Sequence, residues 1–196
     1  MLKKKLILVA APPASGKTYV SELIAKELRH TVYLDKDDLA DLVRAAFSIG
    51  SEELDMDGDF YINNVRPHEY STILNVAFSA LRFEDNVILN APFGKEVRDG
   101  EYMHSLKCKA NRLGAELILI WVSAPTEVCR ARMAKRGSDR DKLKLEDWES
   151  YVKKINYTAP SELADSESVD KMLIFDTASD ITTKRSLEKA LELLKS

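Results

Sequence analysis

Phosphoryl transfer asks for a cation on the phosphates, a hydroxyl on a metal and a carboxylate beside the acceptor, and this chain offers all three. The stretch Ala10-Ala11-Pro12-Pro13-Ala14-Ser15-Gly16-Lys17-Thr18 follows the apolar run Leu6-Ile7-Leu8-Val9 and precedes an amphipathic segment. In a strand, loop, helix context, such a loop wraps backbone N–H groups around a β-phosphate, and the helix N-terminus adds positive potential. Pro13, Ala14, Ser15 and Gly16 are the expected cradle. Lys17 would reach the β- and γ-phosphates, and Thr18 would offer its hydroxyl to Mg²⁺. ATP and Mg²⁺ are the ligands this pattern implies. The loop departs from G-x-x-x-x-G-K-[ST] at its first position, where Ala11 replaces glycine. If the turn there needs a positive φ, alanine resists it.

Two further groups of residues could serve the same chemistry. Asp35, Asp37 and Asp38 follow the short run Thr31-Val32-Tyr33-Leu34. A carboxylate at that strand end can take the proton from an acceptor hydroxyl. Asp37 is the choice for this base, with Asp35 left open. Thr18 and Asp35 are the expected metal-side oxygens. The segment from Arg130 to Lys144 carries seven basic residues against two acids. Arg132 and Arg136 are four apart, so they share a helix face, where arginines on a closing flap can stabilise a transferring phosphoryl group.

The elements that must position these groups alternate. A first helix from Gly16 carries Val20, Leu23, Ile24 and Leu28 as one stripe. A second carries Leu39, Leu42, Val43, Ala46 and Phe47. Residues 48–64 are irregular; Asp55-Met56-Asp57-Gly58-Asp59 fails as a calcium loop, since Phe60 and Arg66 stand where glycine and glutamate are required. A third helix starts at Pro67. Strand Val87-Ile88-Leu89-Asn90 leads into Ala91-Pro92-Phe93-Gly94, and a helix over 98–112 follows. The run Leu117 to Val122 is wholly apolar, as expected of a strand covered on both faces. A basic helix over 127–136, a polar break at 137–141 and a helix carrying Leu145, Trp148, Val152 and Ile155 come next. After a polar loop over 158–170, strand Met172–Phe175 and a last helix close the chain. Five strands alternating with helices predict an α/β fold, a mostly parallel sheet covered on both faces. Ligands then bind beyond the strand C-terminal ends, where the phosphate loop, Asp35, Asp37, Asn90 and Ser123 converge.

The whole chain sets bounds. With 196 residues and 45% hydrophobic content, one domain over residues 1–196 is expected, with a lid over 126–145. A net charge of −3 with 31% charged residues gives no drive toward nucleic acid or membrane. Cys108 and Cys129 match no zinc spacing. Lys3-Lys4-Lys5 before six apolar residues resembles a leader, but the run is short and feeds the phosphate loop, so a buried strand and a cytoplasmic protein are expected. His30 and His104 read as structural.

Ala11 to Thr18, Leu34-Asp35-Lys36-Asp37-Asp38-Leu39, Val87 to Asn90, and Pro125 through Arg132 to Arg136-Gly137 together resemble the small P-loop kinases. This group includes zeta-toxin-like kinases, chloramphenicol phosphotransferase and the kinase domain of polynucleotide kinase, within AAA_33-type ATP-binding proteins. The resemblance implies a three-layer α/β/α sheet of order 2-3-1-4-5 and a mobile arginine lid. It places the catalytic aspartate on Asp37 and the lid arginines on Arg132 and Arg136. Asn90 ends strand three where relatives often have aspartate. Ala40 stands where polynucleotide kinases hold substrate phosphate with arginine, which argues against a nucleic-acid end as substrate.

The expected activity is transfer of the γ-phosphate of ATP to a hydroxyl of a small molecule or nucleotide-like acceptor. Arg66, Tyr70 and Arg98 are the chosen acceptor-binding residues, with Tyr61 and His68 as further candidates. The alternatives are a nucleotide-dependent switch without an acceptor and a degenerate loop that binds nothing. A GTPase is disfavoured by the absence of N-K-x-D.

Overall fold

The computed structural model describes residues 3–164 and 166–195. Strand β1 (Lys4–Ala10) is central and buried from its second residue. Its alternate side chains feed two cores. Leu6, Leu8 and Ala10 pack with α3 (Arg66–Ala80) and α4 (Gly100–Arg112). Ile7 and Val9 pack with α1 (Lys17–Glu27) and α8 (Asp180–Lys195). This period of two, apolar at every position, is what a strand between two helical layers requires.

The remaining strands are β2 (Thr31–Asp35), β3 (Asn86–Asn90), β4 (Ala115–Ser123) and β5 (Lys171–Asp176). All pair in parallel, in the order β2-β3-β1-β4-β5. The three-layer α/β/α P-loop fold expected of the sequence is therefore present. Register levels the strand ends: Val9 and Asp35 both pair with Asn90, Ala10 with Trp121, and Ser123 with Asp176.

Several boundaries differ from the sequence reading. The turn after β2 is a 3₁₀ helix, Lys36–Leu39, started by the Asp35 side chain, before α2 (Ala40–Gly50). A π-helical turn, Tyr61–Val65, precedes α3. A third apolar cluster of Val43, Phe47, Tyr61 and Val65 ties that turn to α2. After α5 (Thr126–Arg136), helix α6 (Asp139–Glu146) already starts inside the expected polar break. The single helix expected over 145–155 is interrupted: Asp147 leaves helical geometry and caps α7 (Trp148–Lys154) by accepting from Ser150 N–H. An aspartate able to bond the backbone two or three residues on competes with helix continuation. Among the described residues no helix is long and apolar enough to cross a membrane.

Candidate active site

The loop joining β1 to α1 turns at two left-handed residues, Ala14 (φ 62°) and Gly16 (φ 93°). Ala11 is buried and does not have a positive φ. The missing first glycine is thus no obstacle; the strained position is Ala14, three residues further on, where a non-glycine costs about 1–2 kcal/mol. Gly16 takes a backbone conformation that a side chain would resist. A Cβ there would lie 3.4 Å from Arg132 Nη1 and 3.7 Å from Thr177 Oγ1. Asp99 and Asp147 cap α4 and α7, but no side chain caps α1 and its first turn holds no acid. Its free N–H groups and dipole are left for an outside anion.

Asn90 is fully buried at the centre of the strand ends. Its Oδ1 accepts from Lys17 Nζ at 2.5 Å. Its Nδ2 reaches Thr18 Oγ1 at 3.2 Å, the Tyr33 hydroxyl at 3.1 Å and Asp35 Oδ2. One amide therefore serves the lysine through its oxygen and the expected metal-side oxygens through its nitrogen. Burial holds the Lys17 ammonium below the ordinary lysine value, while Asp35 and Asp37 pull it back up.

The three acids after β2 separate by what they already hold. Asp35 Oδ1 accepts from Asp37 N–H at 2.9 Å, and Oδ2 accepts from Asn90 and, at 3.3 Å, from Tyr33. Asp37 has a side chain 70% exposed, and its Oδ1 stands 3.7 Å from Lys36 Nζ. Asp38 is also exposed.

Arg132 lies against the loop. Nη1 donates to Ala14 O at 3.4 Å and to Thr177 Oγ1 at 3.1 Å, and Nη2 donates to Thr177 O at 2.7 Å. Thr177 Oγ1 in turn donates to Ser15 O at 2.7 Å. An open cleft of about 380 Å³ lies here, lined by Gly16, Tyr19, Arg132 and residues 177–180 with Thr183. Sequence reasoning missed Thr177. The same strand-end rule that picked out Asp35 and Asn90 applies to the end of β5 and would have found it. Arg136 is placed differently: Nε and Nη2 reach Asp141 Oδ2 at 2.8 and 2.7 Å.

The acceptor-side candidates do not form one group. Arg66 and Tyr70 line an open groove of about 400 Å³ between α3 and α4. Arg66 sits 4.3 Å over the Tyr70 ring and pairs with Glu96 at 2.6 Å. Arg98 is absent from that groove; it stands over Trp121 and donates to Thr158 O at 2.5 Å. Tyr61 donates to Glu69 at 2.6 Å, and His68 is exposed. Arg44 pairs with Asp41 at 2.6 Å. His104 has a partner that sequence did not suggest, Cys108 Sγ at 3.5 Å, one helical turn on. Asp57 of the acidic loop approaches α6, 3.8 Å from Lys144.

A search of curated proteins finds no match. Solved structures share the fold over nearly the whole chain. A presumed kinase from Chloroflexus aurantiacus J-10-fl is 21% identical with a TM-score of 0.66, covering 97% of this chain and 98% of that one. A gluconokinase from Sinorhizobium meliloti 1021 is 15% identical (TM-score 0.56, 99% and 95% covered). The Mycobacterium tuberculosis APS kinase CysC, solved with AMPPNP and APS, is 16% identical (TM-score 0.53, 100% of both chains). The AAA_33 model, described as an AAA domain, matches residues 6–156, and the chain belongs to that family of P-loop proteins.

Proposed function

We propose that this protein is an ATP-dependent kinase that passes the γ-phosphoryl group to a hydroxyl of a small-molecule or nucleotide-like acceptor. The observation that carries the reading is the start of α1: an uncapped, acid-free helix N-terminus with the half-buried Lys17 beside it on Asn90. That arrangement suits a polyphosphate. The kinase names of the structural relatives fit it, and a gluconokinase among them fits an alcohol acceptor.

The roles follow from position. The N–H groups of Pro13-to-Thr18 backbone, proline excepted, hold phosphate oxygens, with Lys17 on the β- and γ-phosphates. The cleft beside Arg132 and Thr177 receives the nucleoside. Thr18 and Asp35 fit Mg²⁺, which takes one or two protein oxygens and completes its shell with phosphates and water. When bound, the ion would neutralise charge on the phosphates. Asp37 takes the proton of the acceptor hydroxyl, since its carboxylate is exposed while both oxygens of Asp35 already accept hydrogen bonds. Residues 126–145 act as a lid that brings Arg132 and Arg136 to the developing charge. Arg66 and Tyr70 in the α3–α4 groove are offered to the acceptor, with Arg98 outside that groove as a separate candidate. Arg44, paired to Asp41, does not replace the arginine missing at Ala40, which favours a small acceptor over a nucleic-acid end. Free Cys108 and Cys129 fit a reducing, cytoplasmic setting.

The test is transfer from γ-labelled ATP to a panel of sugars, nucleosides, amino-sugar nucleotides and antibiotics. Asp37→Asn lowers transfer roughly 10²–10⁴-fold with ATP affinity unchanged. Asp38→Asn, pointing elsewhere around the turn, stays near the native rate. If no alcohol is phosphorylated and ATP turnover ignores Asp37→Asn, the protein is a nucleotide-dependent switch.

A further inference from the structure

Beneath the 36–39 turn lies a buried ion pair that none of these roles uses. Lys36 Nζ is 2.8 Å from Glu69 Oε1, and the two side chains are 7% and 3% exposed. The Tyr61 hydroxyl donates to Glu69 Oε2 at 2.6 Å. On its other side Lys36 Nζ stands 3.7 Å from Asp37 Oδ1. One buried ammonium therefore faces two carboxylates, one buried in α3 and one exposed to solvent.

Stability alone is a poor reason for such a pair. Two ions must be stripped of water, and apolar side chains of similar size do as well or better in the same space. Position gives a better one. An exposed aspartate is free to rotate, whereas a base must be held close to its productive geometry. Lys36 cannot follow solvent, because Glu69 and Tyr61 fix it from behind. At 3.7 Å it attracts Asp37 without a close hydrogen bond, which leaves the carboxylate lone pairs open to an acceptor hydroxyl. The charges also alternate away from the phosphate loop: Lys17, then Asp35 and Asp37, then Lys36, then Glu69.

We infer that Lys36, anchored by Glu69 and Tyr61, is a positioning residue that holds the Asp37 carboxylate in place for proton removal. The inference rests on the kinase reading and on Asp37 as its base.

The test replaces the whole buried triad with apolar groups, Lys36→Met with Glu69→Leu and Tyr61→Phe, and compares it with Asp37→Asn. The probe is turnover of Mg·ATP with water as acceptor, the reaction that needs no identified alcohol. If Lys36 positions Asp37, the folded triple variant loses at least tenfold in kcat with KM for ATP within twofold of native, and adding Asp37→Asn costs nothing more. A folded triple variant with native kcat, beside a slow Asp37→Asn, overturns the inference and leaves the base assignment standing. A native rate for Asp37→Asn alone overturns the base assignment and this inference with it. Should the triple variant not fold, Glu69→Gln keeps an acceptor for Lys36, turns its amide N–H toward the Tyr61 oxygen and removes the anchoring charge. It is expected to lose threefold or more in kcat, and a native kcat there also overturns the inference.

Discussion

The Lys17 ammonium rests on the side-chain carbonyl of Asn90, with Nζ 2.5 Å from Oδ1. A neutral amide holds Lys17, where an acid would compete for it with the phosphate that we propose it binds. The same Asn90 ties down Thr18 and Asp35, so a single buried residue sets the spacing of Lys17, Thr18 and Asp35.

Nucleotide should therefore stabilise the fold through Lys17. At Mg·ATP 100-fold above its Kd the expected gain is about 2.7 kcal/mol, or roughly 5–11 °C in Tm for a domain of this size. Lys17→Ala should abolish most of that shift. Asn90→Leu leaves Lys17 and Asp35 without their shared partner and should lower the unliganded stability by about 1–3 kcal/mol while also shrinking the shift. A full ATP-induced rise in Lys17→Ala, read by differential scanning fluorimetry, would place the nucleotide elsewhere.

Thr177 links the phosphate loop to Arg132, accepting from the guanidinium and donating to Ser15 O. Thr177→Val keeps the shape and removes both bonds. Losing hydrogen bonds of this kind costs about 1–3 kcal/mol, so KM for ATP should rise roughly 5- to 100-fold with kcat less affected. A loss confined to kcat would mean that Thr177 acts on the transferring phosphoryl group and not on the bound nucleotide.

Much of this was legible in the sequence, for physical reasons that differ by residue. The loop and the convergence of Lys17, Asp35 and Asn90 follow from apolar periodicity and the strand-end rule, which are local, whereas the sheet order was implied by the resemblance to the small P-loop kinases. The Lys36–Glu69 pair joins residues 33 apart, and nothing in either neighbourhood marks a lysine as buried. That Arg132 and Arg136 share a face of α5 was readable from their spacing. The pairing of Arg136 with Asp141 was not, because the 137–141 stretch reads as a break whereas α6 starts within it. The strain at Ala14 in place of Ala11 depends on how nine residues close a turn, a property of the loop and not of either alanine.

Burial holds Lys17 below the ordinary lysine value, so its sign of pH dependence is fixed. The unfolded chain binds the proton more tightly, and between the lowered folded value and 10.5 stability rises with pH. Below that window the unfavourable burial of charge is fully present; above it the effect is gone. Phosphates favour the charged form, so nucleotide binding in the window should take up a proton and weaken about tenfold per pH unit. Titration calorimetry in two buffers of different ionisation enthalpy reads that uptake. Binding without proton uptake up to the ordinary lysine range would show that Lys17 is not the phosphate ligand.

Arg136, the second arginine of the proposed lid, is held away from the loop by Asp141. Its Nε and Nη2 share one oxygen of Asp141, which is 2% exposed, while the Arg136 side chain is 40% exposed. To reach a phosphoryl group, Arg136 must leave that carboxylate behind in the protein. Arg136→Ala strands it permanently and should cost roughly 1–3 kcal/mol, less than a fully buried pair would because the arginine is partly in water. Stability alone therefore cannot reveal the role. Rate can. If Arg136 serves the transferring group, Arg136→Ala lowers kcat at least tenfold with ATP affinity nearly unchanged. Asp141→Asn keeps an acceptor for Arg136 but removes the charge that detains it, so kcat should hold or rise severalfold. If both variants lose stability and both keep the native kcat per folded molecule, the pair only staples α5 to α6, and Arg132 is the single arginine that the lid contributes.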